Sequence, residues 1–224
     1  MSDARSDMLA GIGRALRGGP VSEARAAELE ARLAAHKRNL VPARAKILFP
    51  AGRLALFIAM AEEVDATVAR VSSAQAAVDA VTRYLAERNL PARAVVTPDP
   101  RLAGLPWHHT ALDIRSGVAE DSDPVGVSGC FAAIAETGTL MLVSGPGSPT
   151  RNNFLPDTHI VLVRADEVVG FYEEAWDRLR EAGPMPRTVN FITGPSRTGD
   201  IAQKLELGAH GPRRLHIVII ENGP

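Results

Sequence analysis

The apolar positions of this chain fall into two regimes. Up to about residue 66 they recur at helical spacing. Met8, Leu9, Ile12 and Leu16 make one stripe, and Gly18-Gly19-Pro20 ends that segment. Ser22 followed by residues 23–37 predicts a second helix that is polar over most of its surface, and the Ala, Leu, Ile and Met of residues 54–66 predict a third. Beyond this point strand and helix patterns alternate. Residues 67–71 are a β-branched run, Ser72-Ser73 cap a helix over 74–88, and 94–97, 112–114 and 125–127 predict short strands. Residues 139–143, 159–163, 188–192 and 215–220 are near-continuous apolar runs, the pattern of strands covered on both faces. Residues 166–180 and 198–207 read as crossover helices between them. The expected fold class is α/β: a three-layer domain over residues 46–224 with a mostly parallel or mixed sheet. A helical N-terminal extension over residues 1–45 precedes it, with a packing or oligomerisation role expected.

Composition narrows the function classes. The 224 residues are enough for one domain with a full core plus the extension. A net charge of -1 supplies no global field for nucleic acid or an anionic membrane, so neither partner is expected. Cys130 is the only cysteine, which leaves no intrachain disulfide and no thiolate set for an iron–sulfur cluster. Residues 1–13 carry acid and base throughout, without an apolar signal core, and no run approaches the roughly 18 apolar residues of a membrane span. A cytoplasmic protein is expected.

Candidate chemistry concentrates in two polar stretches set among apolar runs, Glu136-Thr137-Gly138-Thr139 and Gly194-Pro195-Ser196-Arg197-Thr198-Gly199-Asp200. With residues 198–207 read as a helix, Ser196 or Thr198 is its N-cap, and the Gly-rich loop offers amide donors to an anion. Arg197 adds a forked cationic donor for carboxylate or phosphate. Arg151 and Asn152, with Asn153, supply donors from the loop after residues 139–143, and strand polarity sets both loops on the carboxyl edge where open α/β sheets bind ligands. The expected ligand-binding set is therefore Thr137, Gly138, Thr139, Arg151, Asn152, Gly194, Ser196, Arg197, Thr198 and His210, around a small carboxylate or phosphate. Glu136 is the catalytic candidate, as general base or as a carboxylate nucleophile; the alternative is a turn glutamate bonded to nearby amides. His210 is either a proton carrier or a turn residue that fixes the entry to the last strand. Neither a cofactor nor a metal is expected: His108 and His109 point apart if their segment is extended, and no ligand cluster accompanies them. His159 and His216 read as satisfied sheet residues, and Cys130 as a small buried thiol.

Four motifs in order, ETGT, Asn153-Phe154-Leu155-Pro156-Asp157-Thr158-His159, Gly-Pro-Ser-Arg-Thr-Gly-Asp-Ile and Gly208-Ala209-His210-Gly211-Pro212, resemble the LUD domain of the lactate utilization protein C family. The resemblance covers about residues 46–220. It departs at Gly199 and Ala202, where the family usually has Ala and an acidic residue. It implies a fold similar to that of glucosamine-6-phosphate deaminase, ribose-5-phosphate isomerase and CoA transferases. It also implies a place in the oxidation of L-lactate to pyruvate beside iron–sulfur oxidoreductase partners. The alternative is a stand-alone enzyme acting on a sugar phosphate or CoA ester, with Glu136 as base or nucleophile.

Overall fold

The structure is a computed structural model that describes residues 3–16, 21–38, 40–46, 49–201 and 204–221. Gly18-Gly19-Pro20 and Ala202 lie outside the described residues, as do residue 39 and the last three positions. The chain divides into two units, residues 1–40 and 41–224.

The first unit holds helices α1 (Ala4–Ala15) and α2 (Glu23–Ala35). Each starts on a side-chain cap: Asp3 accepts from the Arg5 amide at 3.1 Å, and Ser22 from the Arg25 amide at 3.3 Å. Neither helix buries a residue, and the stripe of Met8, Leu9, Ile12 and Leu16 is exposed.

The second unit opens with α3 (Pro50–Glu63), whose Pro50 occupies the first turn, where a missing N–H is harmless. Phe57 and Ala61, four apart on one face, are its fully buried residues. Strand β1 (Thr67–Val71) and helix α4 (Ala74–Glu87, capped by Ser73) follow, then β2 (Arg93–Val96), α5 (Pro100–Ala103), β3 (Asp113–Ser116) and β4 (Val125–Gly129). The later elements are β5 (Ala132–Ile134), β6 (Thr139–Val143), β7 (Thr158–Arg164), β8 (Val168–Val169), α6 (Tyr172–Glu181) and β9 (Val189–Ile192). The chain closes with β10 (Arg197–Ile201), β11 (Lys204–Leu207) and β12 (Arg214–Ile220).

Six strands form a wholly parallel sheet in the order β1-β12-β7-β4-β2-β3. One of its faces carries α4. Val78, Val81 and Leu85, at helical spacing, meet Val127, Ile160 and Val218 there, and the Tyr84 ring stacks on His216 at 3.9 Å between centroids. The other face carries α3 together with a second sheet of order β8-β5-β6-β9, where Phe57 and Leu140 pack on Val161 and Ile217. Helix α6 covers the outer face of the second sheet through Ala175 and Leu179. The layered α/β fold is as the strand and helix patterns predict. No described helix is long and apolar enough to cross a membrane.

Two expectations are corrected. Residues 198–207 are not a crossover helix. Strands β10 and β11 pair antiparallel, Arg197 opposite Leu207 and Ile201 opposite Lys204, with an irregularity between Thr198 and Ile201. Ile201, Leu205 and Leu207 satisfy both the helical and the two-residue period over so short a run, and the Thr-Gly pair at 198–199 weighs against helix. The region read as helix from 166 is a short turn and strand β8 before α6 begins at Tyr172.

Candidate functional site

The polarity argument is the third correction. Strands β6 and β9 belong to the second sheet and run antiparallel, Leu140 opposite Ile192 and Val143 opposite Val189. The chain leaving β9 therefore emerges beside the turn that enters β6, and the two polar stretches meet at that end. The loop that leaves β6 starts at the far end, and the chain then runs back to the amino end of β7.

In the turn before β6, Gly138 adopts φ +65°, and a Cβ there would collide with the Ala61 amide nitrogen of α3. Four hydroxyls form one network beside this turn. Thr137 and Thr139 lie 2.6 Å apart, each is 3.0 Å from the Tyr172 hydroxyl, and Thr139 is 2.7 Å from Thr193 beyond β9. The Glu136 amide donates to Gly170 O at 2.9 Å, and among the described residues the Glu136 carboxylate has no hydrogen bond or ion pair.

Past Thr193 lies a cavity of about 370 Å³ at the amino ends of β7 and β12, not at the carboxyl edge that strand polarity predicted. Thr193, Gly194, Ser196 and Arg197 form one wall, His210 and Gly211 a second, and Asn153, Phe154 and His159 a third. Gly194 is buried at φ +73°, where a Cβ would strike Val64 O. Arg197 donates to Val64 O at 2.8 Å and pairs with Asp65 at 3.0 Å, so its guanidinium closes the carboxyl end of α3 while the side chain borders the cavity. Ser196 ties the base of the β10–β11 ribbon: its amide donates to Pro212 O, its carbonyl accepts from Gly208, and its hydroxyl accepts from the His210 amide at 3.4 Å. The helix N-terminus expected as the anion donor does not exist here, because Thr198 stands in β10.

Among the described residues, two buried polar atoms on this cavity's lining residues have no partner, Asn153 Oδ1 and His159 Nδ1. His159 Nε2 lies 2.7 Å from Ser128 Oγ, so one ring nitrogen is held and the other left open. Complete burial pushes the His159 pKa down to about 4, which keeps the ring neutral at neutral pH. His159 reads from sequence as a satisfied strand residue. The available signal was a lone imidazole at the amino end of an otherwise apolar run, directly after the Asn153-bearing loop. Thr193 and Phe191, which also line the cavity, carried no signal beyond their place next to Gly194.

The remaining candidates lie elsewhere. Arg151 pairs with Asp121 at 2.8 Å in an exposed position. Asn152 is buried and pins a neighbouring loop, its Oδ1 accepting from the Ala119 amide and its Nδ2 donating to Gly117 O, both at 2.9 Å. His108 and His109 sit in a 3-10 turn rather than an extended segment, so their rings do not point apart but meet edge-on at 4.1 Å. No group of three or more His, Cys, Asp or Glu suited to a metal ion occurs among the described residues. Cys130 is buried 3.8 Å from Glu167 Oε2, and burial, then the Glu167 charge, push its thiol pKa up. His216 is held in the same way, its Nδ1 lying 2.8 Å from Thr67 Oγ1 and its Nε2 unpartnered among the described residues.

Known proteins give this arrangement a family. The sequence profile of the LUD domain matches residues 54–220. An uncharacterized protein of Neisseria meningitidis is 42% identical over 42% of this chain and 41% of its own length. A lactate utilization protein C of Geobacillus sp. is 32% identical over 51% of this chain and 48% of its own. The chain thus spans about half the length of the curated relatives it matches. A crystal structure of a DUF162 family protein from Deinococcus radiodurans superposes with a TM-score of 0.57 at 26% identity, covering 78% of this chain and 99% of the other. The chain belongs to the LUD-domain family.

Proposed function

We propose that this chain is a cytoplasmic component of an L-lactate oxidation system, one that binds a small carboxylate while iron–sulfur partner proteins carry the electrons. The observation behind this reading is the cavity between β9, β10 and β7. Two of its lining residues, Asn153 and His159, each carry a buried polar atom with no partner among the described residues, and Thr193 and Ser196 bring hydroxyls to the same lining. The hydroxyl of an α-hydroxy acid can donate to an acceptor such as Asn153 Oδ1 while its carboxylate accepts from hydroxyl and cationic donors, whereas an α-keto acid offers acceptors only. Arg197 and His210 border the same space and are the groups able to offset the ligand's charge, while Gly194 gives the backbone its close approach. Thr137, Gly138 and Thr139 back this wall through the hydroxyl network, and Thr198 belongs to the ribbon that carries Arg197. Glu136 is the candidate for any chemistry of the domain's own.

Support for the pathway comes from the lactate utilization protein C relatives. Support for separate electron carriers comes from the single cysteine of this sequence. Isothermal titration of the purified chain with L-lactate and with pyruvate tests the ligand. Saturable binding of L-lactate is expected, weakened about tenfold or more in Asn153→Ala because the acceptor for the ligand's hydroxyl is lost. Absence of L-lactate binding, or equal affinity in wild type and variant, contradicts this site.

A further inference from the structure

A second cavity lies at the opposite edge of the six-stranded sheet, in the crevice where the strand order reverses. The chain leaving β2 turns outward to β3, whereas the chain leaving β4 proceeds to β7 and then β12 on the other side. Open α/β sheets leave a crevice at such a point, outside the carboxyl ends of the strands. Here it measures about 310 Å³, at the lower end of the range for small-molecule sites of about 300–1,000 Å³. The carboxyl ends of β4, β7 and β12 supply Gly129, Leu162 and Ile220 to it, and the segment after β2 supplies Leu102, Leu105 and Arg101.

Arg101 is held in an unusual way. Asp99 grips one edge of its guanidinium, Oδ2 lying 2.7 Å from one terminal nitrogen and 3.0 Å from Nε. Glu167 Oε1 takes the other terminal nitrogen at 2.8 Å. Glu167 is itself fixed, its second oxygen accepting from the Arg164 amide at 2.9 Å. With both edges bonded, the plane of the guanidinium cannot swing. Gly129 lets it lie close over β4, where a Cβ would come within 3.2 Å of its nitrogen. The side chain nevertheless remains 54% exposed. A cation with three of its five N–H groups bonded and its plane fixed, lining a cavity beside leucines while half exposed, offers a flat surface for stacking.

We infer that this cavity binds a planar heteroaromatic ring, about the size of a nucleobase or nicotinamide, stacked on the guanidinium of Arg101 with its other face on Leu102 and Leu105. This site is separate from the β9–β10 cavity and does not depend on the role given to that cavity. It uses residues that no motif in the sequence singled out.

The test uses the full chain, isotopically labelled, and a panel of adenosine, nicotinamide and quinoline set against the saturated compounds ribose and cyclohexanol. Saturable shifts of the Gly129 and Leu105 amide signals are expected with at least one aromatic compound and with neither saturated one. Arg101→Lys keeps the charge but loses the plane, and should weaken that binding by about tenfold. Should Arg101→Lys fail to fold, Leu105→Phe serves in its place, because the larger side chain occupies the cavity and should abolish the shifts. The inference is overturned if no aromatic compound shifts these amides, if the saturated compounds do so equally, or if a folded variant binds as wild type does.

Discussion

At the scale of single residues, His159 and His216 set how this protein responds to acid. Burial holds both rings near pKa 4 against an ordinary value of 6.5. An unfolded chain takes up protons that the folded chain refuses across that interval. The stability these two rings contribute is therefore complete above about pH 6.5, declines as the pH falls toward 4, and is gone below that. Each histidine accounts for on the order of 3 kcal/mol across the full window. Urea midpoints at pH 7.5 and pH 5 should differ clearly in wild type and much less in His159→Gln/His216→Gln. Equal differences in the two proteins would contradict the assignment. Protonating His159 also changes the open Nδ1 from either tautomeric role to an obligatory donor, so the cavity and the core respond to the same titration.

At the scale of elements, the junction of α3 with the two polar stretches rests on glycine. Gly138 and Gly194 have positive φ, and each sits where α3 backbone leaves no room for a Cβ. Gly194→Ala combines backbone strain with a collision against Val64 O and should destabilise the fold by about 2 kcal/mol or more. Urea unfolding would read this directly; a loss below about 0.5 kcal/mol would show that the α3 contact yields easily. The same junction shows where sequence reading stops. The runs at 139–143, 159–163 and 215–220 are legible as strands because strands covered on both faces are apolar throughout. Pairing direction is not legible in them, and the antiparallel run of β6 and β9 is what brings Thr139 to Thr193. Residues 201–207 fit two periods equally, so the β10–β11 ribbon was hidden behind a plausible helix. The motif residues Gly194, Ser196, Arg197 and His210 do share a cavity, while Arg151 and Asn152 are engaged elsewhere. Nothing in the sequence marks Arg101 or Glu167, whose partnership depends on the order of strands in the sheet.

At the scale of the whole domain, the six-stranded sheet carries a cavity at each end. The one at the amino ends of β7 and β12 gathers residues of three of the four family motifs, two of these residues carrying an unpartnered buried atom; the one at the carboxyl ends gathers a rigid guanidinium and leucines. The central claim concerns the first of these and the system in which it works. Its most direct test is L-lactate-dependent dye reduction in extracts of cells lacking this chain, in a background with no second lactate oxidase. Loss of the activity is expected, with recovery when wild-type protein is supplied and poor recovery with Asn153→Ala. An undiminished rate in the deletion extract would contradict the proposed role.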